Sequence, residues 1–248
     1  MQLCLKEVSV LKIRIKFPKT GPVRYIGHLD VMRYFQKLNR RAGLDVKYST
    51  GFSPHQIMSF AAPLGVGLES YGEYVDIEVN SSLPSKESID ALNNASVEGI
   101  QVISYVMLPE GTPNAMSCVA AADYRVRIKD SYKPVGYTDN TLISEKFNEF
   151  LNQETIVVLK TSKKSEREVD LKPLIYNAYV DENGSFIMKL STGSVENLKP
   201  ELVMETFYKF LGQDMNNFAL DICRLEVYGV NEEDSTFVPL EKYGDVIE

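Results

Sequence analysis

Hydrophobic positions follow two spacings along this chain. In LKIRIKF, Leu11 to Phe17, every second residue is apolar. Ile13, Ile15 and Phe17 share one face and Lys12, Arg14 and Lys16 the other, as in a half-buried strand. From His28 to Ala42 the spacing changes to that of a helix. At 100° per residue, Val31, Met32, Phe35, Leu38 and Ala42 fall within an arc of about 120°. Arg33, Lys37, Arg40 and Arg41 fall within about 100° on the opposite side. Asp30 lies in the first turn, where the helix dipole favours an anion, and Gly43 suits a left-handed C-cap.

The same reading continues down the chain. Pro18 to Pro22 is a turn, Leu44 to Tyr48 a short strand, and Ser49 to Ser70 a Gly/Pro-rich loop region with a strand near Gln56 to Ala61. Strands follow at Glu73 to Val79 and Ile100 to Leu108, with a helix from Ser85 to Asn93 between them and Ser85 as its cap. After Pro109 to Asn114, strands are expected at Val119 to Lys129 and Thr155 to Lys160, around a helix at Thr141 to Leu151. A hairpin at Tyr176 to Leu190 turns through Glu182-Asn183-Gly184; a helix at Lys199 to Leu211 and a strand at Asp221 to Tyr228 follow. The order predicts an α+β protein of tandem ferredoxin-like (βαββαβ) domains. The first spans residues 11–108, residues 109–118 link them, and the second spans 119–248. Residues 1–10 stand outside the pattern as an N-terminal extension.

Charge sharpens this picture. The net charge is −7, yet residues 11–47 carry ten Lys and Arg against two acids, a local balance of +8. Residues 48–248 carry sixteen basic against thirty-one acidic residues. Such segregation is the footprint of an anion-binding face, and phosphate backbone is its commonest partner. No apolar run is long enough to span a membrane, and the first residues lack the pattern of a signal peptide. Cys4, Cys118 and Cys223 have no zinc or iron–sulfur spacing, and sparse unpaired cysteines fit reduced thiols in a cytoplasmic protein.

Candidate chemistry concentrates between Arg24 and Ser70. The two histidines, His28 and His55, could act as an acid–base pair in metal-independent RNA cleavage. With Asp30 and Glu69 they could instead hold a divalent ion, although no HxxxH or HxH spacing supports a metal. The structural alternative is that His28 caps the helix and His55 holds a turn through a backbone carbonyl. Tyr25, Tyr34, Tyr48 and Phe52 could stack on bases or sit in the core. Gly65-Val66-Gly67 lacks the Lys-Ser/Thr of a phosphate-binding loop and reads as a turn. Lys160 to Lys164 forms a second, diluted basic loop.

KxGxxRYIGHLDxMR (from Lys19), YSTGFSPH (Tyr48 to His55) and SFAxPLxxGxES (Ser59 to Ser70), with the later VDLKPLI and NLKPE, resemble the radical-SAM-linked domain of bacteria. That family occurs alone or fused behind cobalamin-binding radical SAM proteins. Gly27, Ser53 and Gln56 depart from its usual Ser, Asn and Pro. The resemblance transfers no catalytic position. It implies a radical SAM partner acting on RNA or the translation machinery. The chain has no CxxxCxxC, so the expectation is an accessory module without a cofactor of its own that binds RNA and presents it. Its contacts would be Arg24, Tyr25, His28, Asp30, Arg33, Lys37, Arg40, Arg41, Tyr48, Phe52, His55, Ser59 and Glu69. A small RNA-processing enzyme using His28 and His55, or a protein-only adaptor, are the alternatives.

Overall fold

The computed structural model describes residues 10–137, 139–161, 166–194 and 196–248. The expected N-terminal extension, apart from Val10, and Ser162, Lys163 and Lys164 of the second basic loop lie outside the described residues. The protein is mixed α+β. Among the described residues no helix is long and apolar enough to cross a membrane. The chain divides into two compact units, residues 1–119 with 228–248, and residues 120–227.

In the first unit, β1 (Leu11–Lys19) lies between β3 (Glu69–Val79) and β4 (Ser104–Leu108), and the short β2 (Met58–Phe60) pairs with β3. All three pairings are antiparallel, giving the order β4-β1-β3-β2. Two helices, α1 (His28–Arg41) and α2 (Ser85–Asn94), connect these strands. Alternation in β1 puts Ile13, Ile15 and Phe17 into the core with Val31, Phe35 and Leu38 of α1. Phe17 and Phe35 meet with ring centroids 4.5 Å apart, and Phe60 closes on both. Gly43, at φ +73°, ends α1 as its position requires.

The opposite face of this sheet is not left to water. Arg14, expected on the polar side of β1, is fully buried. Helix α3 (Ala115–Cys118) and a 3-10 turn at Leu240–Tyr243 lie against it. Both Asp76 oxygens receive Arg14, at 2.8 and 3.0 Å; Arg14 Nη1 also donates to Leu240 O and the Ala115 N–H to Asp76. Burial alone would push the Arg14 guanidinium down, but Asp76 and, after it, Cys118 together hold it above its ordinary value. Lys16 pairs with Glu241 at 3.0 Å and sits over the Tyr74 ring.

The unit boundaries therefore differ from those expected. The proposed linker 109–118 contains α3, whose Ala115 is buried. Tyr228 to Glu248 return to the first unit: β11 (Phe237–Pro239) pairs with Tyr228 to Val230, Asp245 bridges Met107, and Ser85 N donates to Ile247 O. Ser85 is the first residue of α2 rather than its cap, and its hydroxyl accepts from Ile247 N. Leu44 to Tyr48 forms only two isolated bridges, Val46 to Val79 and Tyr48 to Gln56.

In the second unit, β5 (Ala121–Ile128) and β8 (Ile175–Val180) flank β9 (Phe186–Ser191), and β10 (Leu220–Val230) borders β5, in the order β10-β5-β9-β8. Phe147 and Phe150 of α4 (Asn140–Leu151) stack on each other and meet Phe207 of α5 (Pro200–Phe210) and Phe186 of β9 edge-on or tilted. The strand expected at Thr155 to Lys160 does not join this sheet. As β6 (Val157–Thr161) it pairs with β7 (Glu166–Asp170) in a separate hairpin. Asp170 closes the base of that hairpin by accepting from Ile156 N and Lys172 N, and β8, not β6, is the edge strand beside β9.

One glycine fixes the approach to α1. Gly99 has φ +88°, and its carbonyl receives Thr20 N at 3.0 Å. A Cβ there would overlap the Thr20 carbonyl oxygen. Gly99→Ala should cost on the order of 2–3 kcal/mol from left-handed backbone and overlap together. The loss is read as a lower urea midpoint; a midpoint equal to that of wild type would contradict it.

Candidate functional site

The candidate residues divide into three groups. The first is a clasp at the N-terminal end of α1. Glu69 Oε1 accepts from Gly21 N at 3.1 Å and lies 3.4 Å from Arg24 Nη1. Arg24 O accepts from Gly67 N, and buried Lys19 donates to Gly65 O at 3.2 Å. The segments Lys19–Tyr25 and Gly65–Glu69, distant in sequence, are thus tied together. Arg24 covers the Tyr25 ring at 4.9 Å and donates to its hydroxyl, leaving Tyr25 61% exposed. Glu69 is committed to this clasp, and Ser59 is half-buried in β2 opposite Asp76.

The histidines form the second group, and different neighbours hold them. His28 is the first residue of α1 and lies edge-on to Phe60 at 5.1 Å; Gly27 is the N-cap. At about 100° per residue, His28 stands almost opposite the Lys and Arg stripe on the helix. His55 Nδ1 faces Ser49 Oγ at 2.9 Å and Ser53 O at 3.3 Å, while His55 N donates to Ser49 Oγ. That matches the structural alternative for His55. Among the described residues no group of three or more His, Cys, Asp or Glu is placed to hold a metal ion.

The third group joins charge to aromatic surface. Many of the ten cations of residues 11–47 are already neutralised: Arg14 by Asp76, Lys16 by Glu241, Arg24 by Glu69, Arg33 by Asp30 and Lys47 by Glu78. Arg41 covers Tyr34 and donates to Ala95 O at the end of α2. Tyr34 itself is half-buried, with its hydroxyl on Ser96. Lys37 and Arg40 are exposed with no carboxylate partner among the described residues. Arg33 meets Asp30 only at 3.4 Å and remains 67% exposed. The exposed cationic surface is therefore Lys37 and Arg40, which have no carboxylate partner among the described residues, with Arg33, which shares its charge with Asp30.

This surface meets Gln56, at the base of the loop Ser49–His55, through one atom. Gln36 O accepts from Arg40 Nε at 3.2 Å and from Gln56 Nε2 at 3.0 Å. Buried Gln56 also donates to the Tyr48 hydroxyl and accepts from Asn39, which is itself fully buried in α1. Sequence reasoning missed both amides. A polar residue on the apolar side of the helix, Asn39, was the available signal. The loop is closed at its base by Ser49 N to His55 O at 2.8 Å and by the Tyr48–Gln56 bridge. Its tip presents Phe52 fully to solvent, with Tyr48 45% exposed beside the base.

Residues 12–200 match the family described as an uncharacterized protein conserved in bacteria (DUF2344). The chain belongs to this family. In this DUF2344 protein all three groups fall inside the matched range, whereas the returning segment Tyr228–Glu248 lies beyond it. No curated protein matches the chain.

Proposed function

We propose that this DUF2344 protein binds RNA through the exposed face Arg33, Lys37 and Arg40 of α1 together with the loop Ser49–His55. The observation that carries the reading is the shared Gln36 carbonyl, which brings an uncompensated cation and the base of a pinned aromatic loop together. Cations would hold phosphates while Tyr48 and Phe52 offer ring faces to bases. The strand order β4-β1-β3-β2 in the first unit, repeated as β10-β5-β9-β8 in the second, supports tandem ferredoxin-like folds. The signature segments around His28, Phe52 and Gly65 support a radical SAM enzyme as the partner to which the RNA is presented. That reading makes the chain an accessory module.

Filter binding of total tRNA and rRNA fragments across a salt series tests the reading. Wild type should bind with a salt-dependent constant. Arg33→Glu/Lys37→Glu/Arg40→Glu should flatten the slope by about 2, from three single-strand phosphate contacts. Equal slopes, or no affinity at low salt, would remove the proposal and leave a protein-only adaptor. RNA turnover that disappears in His28→Ala would replace it with the enzyme reading.

A further inference from the structure

The second unit carries an open groove of about 730 Å³ that the RNA reading does not use. Its walls are Phe150, Leu202 and Phe210 on the helices and the run Thr155–Leu159 on the other side. Three consecutive residues of β6, Val157, Val158 and Leu159, line this wall, as its edge would and one face alone would not, and Arg167 of β7 reaches the groove from across the hairpin.

The hairpin register says which backbone groups point there. Leu171 N donates to Ile156 O at 2.8 Å, so Ile156 is a hydrogen-bonded position facing β7. Counting by two, Val158 and Lys160 also turn their N–H and C=O groups toward β7, opposite Val169 and Arg167. Val157 and Leu159 turn theirs outward, to the free edge. Their side chains are also exposed, at 52% and 60%. An edge with outward amides and apolar side chains is a template for one more strand.

We propose that β6 receives an extended segment of a partner protein, with apolar residues at alternate positions and one carboxylate. The groove is large enough to admit a short extended segment. Charge selects the occupant. Glu205 and Lys209 pair with each other at 2.8 Å across the helix wall, whereas Arg167 is exposed with no carboxylate partner among the described residues. A second copy of this chain would bring another Arg167 to the same groove, like charge against like charge. A partner strand bearing Asp or Glu completes it.

Phage-displayed octapeptides selected on the full-length protein, then measured by fluorescence anisotropy, test this. The selected peptides should alternate apolar residues and carry an acid. Leu159→Pro removes an outward N–H while leaving the β7-facing amides in place, and should weaken binding more than tenfold. Arg167→Glu leaves the hairpin backbone untouched; it should weaken acidic peptides tenfold and be rescued by the same peptides with Lys for the acid. Peptides that bind wild type and both variants equally overturn the proposal, as does a selection yielding none. A dimer by sedimentation that Leu159→Pro converts to monomer also overturns it, because the edge is then covered by a second copy. RNA affinity should be unchanged throughout.

Discussion

Asp76→Ala should unfold the first unit at a much lower urea concentration than wild type. Asp76 is 2% exposed and Arg14 is fully buried. The substitution leaves a guanidinium in the interior without its counter-charge and strips the Ala115 N–H of its acceptor. Breaking one side of such a pair costs about 3–5 kcal/mol, a large share of the 5–15 kcal/mol that holds a typical domain together. The attraction itself contributes less than that figure suggests, because two desolvated charges offset most of it. Arg14→Met/Asp76→Leu should therefore recover much of the loss, keeping only the ~1–3 kcal/mol for the unpaired Ala115 N–H. Circular dichroism against urea reads both variants, with exposed Asp90→Ala as control. A midpoint for Asp76→Ala equal to that control would mean the pair is not holding β1, β3 and α3 together.

Arg14 also shows where a sequence stops being readable. The alternation of LKIRIKF is a local property, and it placed Ile13, Ile15 and Phe17 in the core correctly. It could not reveal that the other face is covered, because the cover includes Leu240, 226 residues away. The charge map failed for the same reason. Half of the ten cations in residues 11–47 meet carboxylates: Glu69, Asp76 and Glu78, all on β3, Glu241 near the other end of the chain and, for Arg33, Asp30 of its own helix. The surface that remains is smaller than a balance of +8 implies. Glu69 read as a ligand because nothing in its neighbourhood announces Gly21 and Arg24 as its partners. Local signals did better: the α1 stripe and the hairpin at Gly184 follow from short-range pattern, whereas the exposure of Tyr25, Tyr48 and Phe52 was left open between surface and core. At β6 the pattern identified a strand and not its sheet, because TIVVLKT carries no information on which neighbour closes it.

Phe52→Ala should separate stacking from charge in the proposed RNA complex. The ring is wholly exposed and makes no ring contact among the described residues, so its removal should leave the folding midpoint unchanged. The loop that carries it is held by backbone and Ser49–His55 hydrogen bonds, none of which involves the ring. A stacked base contributes about 1–3 kcal/mol, so affinity for unpaired RNA should fall roughly 5- to 150-fold. The salt slope should stay that of wild type, because no phosphate contact is lost. Perfect duplex should be indifferent to the change, since its bases are not free to leave the helix. Phe52→Tyr should restore most of the affinity and Phe52→Leu little of it, a planar face rather than apolar area being what a base meets. If leucine rescues as well as tyrosine, the loop tip meets an apolar surface instead of a base. The cationic face of α1 would then act without it.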